Sequence, residues 1–265
     1  MSKLESVGVS GAARDPVVEF FDKRADDYDR EYDGETPGGY ALRVRRRIVL
    51  ELFDQPGGKV LDLGCGPGVM ADSLADRGCK FVGLDPSSKM LGIGRRRFQD
   101  REGIHFLAGE ATRVALSDKA FDAVICMGVI DALKDGRLAV SEMLRVLKPG
   151  GTLIVTFTNL VSPYAWWKNY ILYPAATQWH RLRNGGQIEK LGGRTLYTHP
   201  SAHGLLRSQG AEIIRTVNHY YNIFLSPLDE ILPSAALRIT KKLEDREWPR
   251  PDWIAAGFIV KARKV

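Results

Sequence analysis

A hydrophobic strand that leads directly into a glycine-rich turn is the feature that most constrains this chain. It spans Val60 to Gly68 with the sequence VLDLGCGPG, and a helical pattern follows it. In a doubly wound α/β sheet, such a turn lies at the carboxyl end of the first strand, where ligands bind. Glycine lets the backbone turn tightly and leaves no Cβ in the path of a ligand. The segment therefore predicts an α/β fold with a ligand site at this turn.

The spacing of the glycines argues against a nicotinamide dinucleotide as the ligand. A dinucleotide site prefers G-x-G-x-x-G, but here the third glycine, Gly68, comes one residue early and Val69 takes its place. Asp62 also stands just before the turn. A pyrophosphate would be repelled by this carboxylate, whereas an ammonium or sulfonium group would be attracted. A dehydrogenase is therefore the least favoured class of enzyme.

A second acidic residue, Asp85, follows the next predicted strand, about 20 residues after the glycine turn. An acid at that distance accepts hydrogen bonds from a ribose diol. Aspartate at the end of a strand also caps the helix that follows, and the two roles are compatible. We expect Asp85 to bind a ribose and to cap a helix.

The remainder of the chain alternates between short apolar strands and helical segments, which is typical of a parallel sheet covered on both faces. A helical region before the first strand carries four arginines that we expect to stay mostly in solvent, and acidic residues with a glycine at 26–34 are expected to break its first helix. The predicted divisions are a loose tail (1–15), a helical lid (16–56), a core (57–158), an aromatic and basic cap insertion (159–200) and completion of the sheet (201–265) with a second helical insertion (222–250). The arginines are Arg43, Arg45, Arg46 and Arg47.

Composition and charge exclude several classes of protein. The chain has 265 residues, 44% hydrophobic, with 27 Gly and 13 Pro, which argues against a disordered or collagen-like chain. Its three cysteines match neither a disulfide framework nor a metal site, and no apolar run reaches the roughly 18 residues of a membrane span. We therefore expect a cytoplasmic protein without a metal, and leave peripheral contact with a membrane open.

The net charge of +6 is concentrated in the C-terminal part, where all five tryptophans also lie. A basic and aromatic surface suits an anionic substrate, a lipid surface or a nucleic acid. An ordinary solvated surface over a packed core explains the same pattern, so both interpretations remain.

Several motifs in order resemble the class I S-adenosylmethionine-dependent methyltransferases over residues 16–160. The glycine turn resembles their first motif and the strand before Asp85 their second. Three further segments match the acidic pair, the fourth-strand motif and the turn that follows: residues 108–111 (AGEA), 121–133 and 144–156 (LRVLKPGGTLIVT). The resemblance implies a Rossmann-like, seven-stranded, mostly parallel sheet with a helical N-terminal lid and a cap made by C-terminal insertions.

The resemblance also implies S-adenosyl-L-methionine as the cofactor and S-adenosyl-L-homocysteine as the product. The glycine turn would hold the methionine moiety with Asp62 near its ammonium, Asp85 the ribose hydroxyls, and Glu110 the adenine amino group. Met127 and Gly128 would lie beside the sulfonium, and Tyr28 would cover it. The expected cofactor residues are Tyr28, Asp62, Gly64, Cys65, Gly66, Gly68, Asp85, Pro86, Met90, Gly109, Glu110, Ala111 and Met127.

The methyl acceptor is less constrained by the sequence. Candidate catalytic residues are Asp131, which follows the fourth strand, and His199 and His203, which begin a later helix; each has an ordinary structural explanation as well. Aromatic residues of the lid and the cap are candidate walls of an acceptor pocket, or an interfacial belt for lipid. They are Tyr32, Tyr40, Trp166, Trp167 and Tyr170.

The sequence thus predicts a methyltransferase that acts on a small hydrophobic or aromatic metabolite such as a phenol, quinone or lipid-like precursor, with oxygen as the first choice of accepting atom. Alternatives are methylation of carbon or nitrogen, an RNA methyltransferase, and a cofactor-binding protein without chemistry. Because no separate nucleic-acid module is visible, no stable nucleic-acid partner is expected.

Overall fold

The computed structural model describes residues 15–175, 178–179, 194–225, 228–245 and 251–265. The predicted tail and parts of both insertions lie outside these residues. The chain begins with two helices, α1 (Pro16–Asp33) and α2 (Pro37–Leu52). The side chains of Asp15 and Thr36 cap them by accepting hydrogen bonds from the amides of Val17 and Gly39.

A seven-stranded sheet forms the centre of the molecule, with the strand order β3-β2-β1-β4-β5-β7-β6. The first five strands are parallel, and β7 runs antiparallel to both of its neighbours. The strands are β1 (Lys59–Leu63), β2 (Lys80–Asp85), β3 (Ile104–Ala108), β4 (Phe121–Cys126), β5 (Leu147–Thr158), β6 (Ala211–Tyr221) and β7 (Ala255–Lys264). This is the predicted Rossmann-like sheet.

Helices cover both faces of the sheet because its strands carry apolar side chains on both sides. One face packs against α2, α3 (Ala71–Ala75) and α4 (Ser88–Arg97), and the other against α5 (Gly136–Val146) and α7 (His199–Ser208). Burial of apolar side chains in these two layers is the main stabilising contribution. The order of the strands reverses between β1 and β4, which is where an open α/β sheet forms its ligand crevice.

The cap consists of short helices attached to the carboxyl ends of β5 and β6. They are α6 (Pro163–Trp166) with a π-helical continuation (Trp167–Leu172), α8 (Leu228–Ile231) and α9 (Pro233–Glu244). The Tyr164 hydroxyl lies 3.1 Å from a carboxylate oxygen of Asp229 and joins α6 to α8. The second insertion, predicted as helical over 222–250, contains two helices among its described residues, and Leu232 separates them because Pro233 opens a new one.

Two expectations about the lid were wrong. The acidic residues at 26–34 do not break α1, which continues to Asp33 and ends at Gly34. The arginines of α2 do not all stay in solvent: Arg43 donates to the carbonyl oxygens of Tyr32 and Gly34, and Arg46 donates to Ser73. Helical propensity tolerates exposed acids, and arginine extends a buried stem to reach polar partners.

Candidate active site

The glycine turn after β1 has the backbone conformation that only glycine adopts readily. Gly64, Gly66 and Gly68 have φ values of +74°, +53° and +80°. A Cβ on Gly64 would lie 2.1 Å from the side chain of Val129, and one on Gly68 would lie 2.6 Å from Phe106. These glycines are therefore required by conformation and by close packing against the segment after β4 and against β3.

The amides of this turn are already bonded within the protein. Gly64 N–H and Cys65 N–H donate to the Leu84 carbonyl oxygen at 2.7 and 3.2 Å, and Gly66 N–H donates to Asp85 at 2.9 Å. A ligand can therefore contact the carbonyl oxygens of the turn and the backbone of its glycines, which carry no Cβ atom.

Asp85 holds the turn, but the expectation that it caps the next helix was wrong, because the N-cap of α4 is Ser87, whose hydroxyl accepts from Met90 N–H at 3.1 Å. One carboxylate oxygen accepts from Gly66 N–H and the other from Ser87 N–H at 2.8 Å, and burial raises the pKa of this carboxyl. Each carboxylate oxygen accepts more than one hydrogen bond, so capacity for ribose hydroxyls remains. The Ser87 hydroxyl in turn donates to Asp22 of α1, which ties the lid to this edge of the sheet.

Asp62 is 1% exposed, and among the described residues neither of its carboxylate oxygens has a hydrogen-bond partner. Burial, followed by the negative charge of Asp85, raises its pKa to about 7. A buried carboxylate without a partner is unfavourable, so this position suits a ligand that brings a positive donor. The ammonium group of S-adenosylmethionine meets that requirement, and the residues present fit this cofactor.

A second polar cluster lies between the lid and the ends of β4 and β6, and it centres on Arg45. A Cβ at Gly128, after β4, would lie 3.1 Å from Nη1 of Arg45. Burial raises the pKa of the Tyr32 hydroxyl, on which the charges of Arg45 and Asp62 also act. Burial and then the charge of Arg45 lower the pKa of His219 to about 3, so this imidazole is neutral.

Unpaired buried polar atoms concentrate at these two neighbouring positions. Within the described part of the chain, eight buried side-chain nitrogen or oxygen atoms lack a hydrogen-bond partner. Five of them belong to Asp62, Tyr32, Arg45 and His219. Because buried polar groups in folded proteins are almost always paired, this concentration is typical of a ligand-binding site.

Comparisons with known proteins agree with this geometry. A family model described as a methyltransferase domain matches residues 61–155. A solved structure from Thermotoga maritima, an S-adenosylmethionine-dependent methyltransferase described as a possible histamine N-methyltransferase, superposes with a TM-score of 0.61 at 20% identity, covering 93% of this chain and 99% of that one. Residues 61–155 therefore form a methyltransferase domain.

Two curated relatives of the methyltransferase domain share a name. Demethylmenaquinone methyltransferases from Renibacterium salmoninarum and Paenarthrobacter aurescens are each 40% identical, over 141 and 157 residues. The matches cover 53% and 58% of this chain, and 58% and 59% of those proteins. The similarity therefore spans less than two thirds of the relatives' length.

The remaining predicted cofactor residues of the methyltransferase domain lie around the same crevice. Gly109 N–H donates to the Asp85 carbonyl oxygen at 3.2 Å, and Glu110 is exposed at the end of β3. Met90 and Ala111 are buried, Pro86 is exposed and Met127 is half-buried. Tyr28 of α1 lies 3.8 Å from the position of a Cβ on Gly66, so the lid reaches the glycine turn.

The predicted catalytic residues are held by structural contacts. Asp131 is buried, and its Oδ2 accepts from both the amide and the hydroxyl of Thr158, while its Oδ1 has no hydrogen-bond partner among the described residues. His199 and His203 of α7 contact Asn218 and Thr216 at 2.9 and 2.8 Å. Alternation along β6 turns those two partners toward α7 and His219 toward α2, so His199 and His203 lie on the opposite face from Arg45.

The predicted acceptor-pocket aromatics separate into two groups. Tyr32 lies beside Arg45, as described above, and the ammonium of Lys241 lies 5.7 Å from the centre of the Tyr40 ring. Trp166 and Tyr170 are half-exposed and contact each other, and Trp167 is half-buried. The cap therefore presents aromatic side chains to solvent.

Sequence reasoning missed Arg45 and passed over His219. The signal for Arg45 was its position three and four residues before the buried Ile48 and Val49, which places it on the inner face of α2. The signal for His219 was its position two residues from Val217 and Tyr221 on one face of β6.

No helix among the described residues is both long and apolar enough to cross a membrane. Within the same residues, no group of three or more histidine, cysteine, aspartate or glutamate side chains is placed to hold a metal ion.

Proposed function

We propose that the protein transfers a methyl group from S-adenosylmethionine to a small quinone-like or phenolic ring, with oxygen as the first-choice accepting atom. The observation that carries this proposal is the concentration of unpaired buried polar atoms along one edge of the sheet, from Asp62 on β1 to His219 near the end of β6. The Asp62 carboxylate would bind the cofactor in the crevice. The Arg45 guanidinium, with the Tyr32 hydroxyl and the His219 imidazole, would bind the acceptor. The names of the curated relatives support a quinone ring and leave the accepting atom open.

The roles of the protein's own residues follow from their positions. Asp62 would hold the ammonium of the cofactor, and Asp85 would hold the ribose hydroxyls while it keeps the glycine turn closed. When bound, the cofactor supplies a methyl group on a positively charged sulfur. The lid residues Tyr28 and Tyr32 would exclude water and align the acceptor, and alignment supplies much of the acceleration in a displacement reaction.

We also propose that the protein meets its acceptor at an anionic lipid surface. Large apolar side chains of the cap are 48–65% exposed, and the C-terminal part of the chain carries the excess of basic residues. Such a combination suits an interface between water and anionic lipid. The exposed residues include Trp166, Tyr170, Tyr173, Trp179, Ile223, Leu228, Ile231, Leu232 and Trp253.

The first experiment is thermal unfolding of the full chain with S-adenosylmethionine, S-adenosylhomocysteine or NAD, because a ligand of the native state raises the midpoint. We expect the first two to raise it and NAD to leave it unchanged. Transfer of a labelled methyl group to 1,4-naphthohydroquinone is then measured, with naphthalene as the control. Nuclear magnetic resonance of the product distinguishes a methoxy group from a ring methyl group.

A midpoint that rises with NAD alone would overturn the proposal. Tight binding of S-adenosylmethionine without transfer to any phenol or hydroquinone would favour a cofactor-binding protein without chemistry. Transfer to RNA, with binding that weakens steeply as salt is added, would favour the RNA methyltransferase.

A further inference from the structure

Arg45 is an arginine of the crevice whose charge acts on the Tyr32 hydroxyl and on the Asp131 carboxyl. It is only partly exposed, its Nε atom is buried without a hydrogen bond, and the described residues contain no ion pair to it. The other three arginines of α2 have partners: Arg43 and Arg46 donate as described above, and Arg47 lies 3.7 Å from Glu51. A guanidinium in such a position binds an anionic oxygen well.

The residues around Arg45 leave space for its guanidinium group. Gly128 has a φ of +76° and leaves open the space in which a Cβ would approach the guanidinium. The Gly128 amide is fixed by the Thr156 hydroxyl at 2.7 Å. Tyr32 and His219 add a hydroxyl and a neutral imidazole, each with a buried atom that has no hydrogen-bond partner among the described residues. The charge of Arg45 acts on both of these groups and on the Asp131 carboxyl, so together they form a polar cluster around one guanidinium.

The same cluster is poorly equipped to remove a proton from an acceptor. A histidine with a pKa near 3 is a weak base at neutral pH, and burial raises the pKa of Tyr32. Of the two acidic neighbours, Asp62 is assigned to the ammonium of the cofactor. The other, Asp131, on which the charge of Arg45 acts, already accepts from the amide and the hydroxyl of Thr158. An acceptor that enters already ionised needs no base, and a nearby positive charge favours its ionised form.

We propose that Arg45, with Tyr32 and His219, forms a subsite for an ionised oxygen on the acceptor ring, a phenolate or enolate rather than a neutral carbonyl or ether. This inference rests on the proposed function and specifies the chemical state in which its acceptor binds. Gly128 is the position that makes room for the subsite.

The test uses 4-nitrophenol, a phenol that ionises near neutral pH and whose phenolate absorbs at a different wavelength from the phenol. The full chain, with and without saturating S-adenosylhomocysteine, is titrated with 4-nitrophenol at several pH values. Absorbance reports the ionisation state of the bound probe, and so the measurement does not depend on turnover. The variants are Arg45→Gln, Arg45→Lys and, as the matched control on the outer side of the same helix, Arg47→Gln.

We expect the wild type and Arg47→Gln to bind the phenolate and to lower the apparent pKa of the probe. Arg45→Gln should raise that pKa by about one unit relative to wild type, which equals a loss of about tenfold in affinity for the phenolate. Arg45→Lys should retain part of the effect because it keeps the charge without the planar donor pair.

Equal probe ionisation in Arg45→Gln and wild type would overturn the subsite, as would the absence of probe binding to wild type. Thermal unfolding with S-adenosylhomocysteine distinguishes failure of the subsite from failure of the proposed function. If that ligand does not raise the midpoint while Arg45-dependent phenolate binding persists, the subsite stands and the proposed cofactor is wrong. A midpoint shift in Arg45→Gln that matches wild type shows that the variant is folded.

Discussion

At the scale of single residues, the proposed role of Asp62 predicts that cofactor binding depends on pH. Burial raises the pKa of Asp62 in the folded protein to about 7 from the ordinary value of 3.8, so the ligand-free carboxyl is partly protonated near neutral pH. In the ligand-free protein, this shift makes stability fall as pH rises from near 3.8 through about 7, because the unfolded chain loses its proton first. An ammonium ligand requires the ionised form and therefore displaces the proton.

We expect affinity for S-adenosylhomocysteine to fall as pH is lowered below about 7, by up to about tenfold per unit. Asp62→Asn should bind more weakly and lose this dependence. Calorimetry in buffers of different ionisation enthalpy measures both the affinity and the proton released. A wild-type affinity that is flat between about pH 5.5 and 7 would contradict the assignment of Asp62.

The residues at the cofactor end were accessible from the sequence because their chemistry depends on local order. Asp62 lies near the end of a strand that leads into the glycine turn, and Asp85 ends the next strand, just before a helix begins. Arg45 and His219 were not found because their importance arises from tertiary proximity: they come from α2 and β6, far apart in sequence, and meet only after the sheet is assembled. The shift in the pKa of His219 likewise depends on burial by a distant helix.

At the scale of elements, the glycine turn is held by the segment after β4 as well as by its own conformation. Gly64 and Gly103 have similar φ values, +74° and +79°, but a Cβ on Gly64 would overlap Val129 while one on Gly103 would meet nothing within 4 Å. Alanine at either position carries the cost of a left-handed backbone, about 1–2 kcal/mol. Gly64→Ala adds overpacking of about 1–3 kcal/mol.

We therefore expect Gly64→Ala to lower the free energy of unfolding more than Gly103→Ala, and to weaken S-adenosylhomocysteine binding, which Gly103→Ala should leave unchanged. Denaturant titration with and without the ligand measures both effects. Equal destabilisation by the two substitutions would show that Val129 moves freely away from the turn.

The alternation of strands and helices in residues 57–158 was predicted well because buried parallel strands are apolar throughout and glycine marks their ends. The lid and the cap were harder. Continuation of α1 through its acidic segment and division of the second insertion at Leu232 depend on packing and on one proline rather than on hydrophobic periodicity. Such connections respond to tertiary context more than to local preference.

At the scale of the whole molecule, the exposed apolar residues of the cap and the basic C-terminal part predict selective binding to anionic vesicles. We expect co-sedimentation with vesicles that contain phosphatidylglycerol, weaker co-sedimentation with phosphatidylcholine alone, and loss of binding as salt is added. The double substitution Trp166→Ser with Tyr170→Ser should reduce binding severalfold. The control is Leu138→Ser, which removes an exposed apolar side chain from α5; equal effects of both changes would argue against the lipid surface.

The first helix carries a consequence for the order of events. Tyr28 and Tyr32 are four residues apart and therefore share one side of α1, with Tyr28 near the glycine turn and Tyr32 beside Arg45. Helix α1 therefore lies over both the cofactor side and the acceptor side of the crevice. A ligand that binds on one side should hold α1 in place for the ligand on the other side, so donor and acceptor should strengthen each other's binding by the same factor. Two chemically different ligands are then expected to bind with positive cooperativity because two tyrosines lie one helical turn apart.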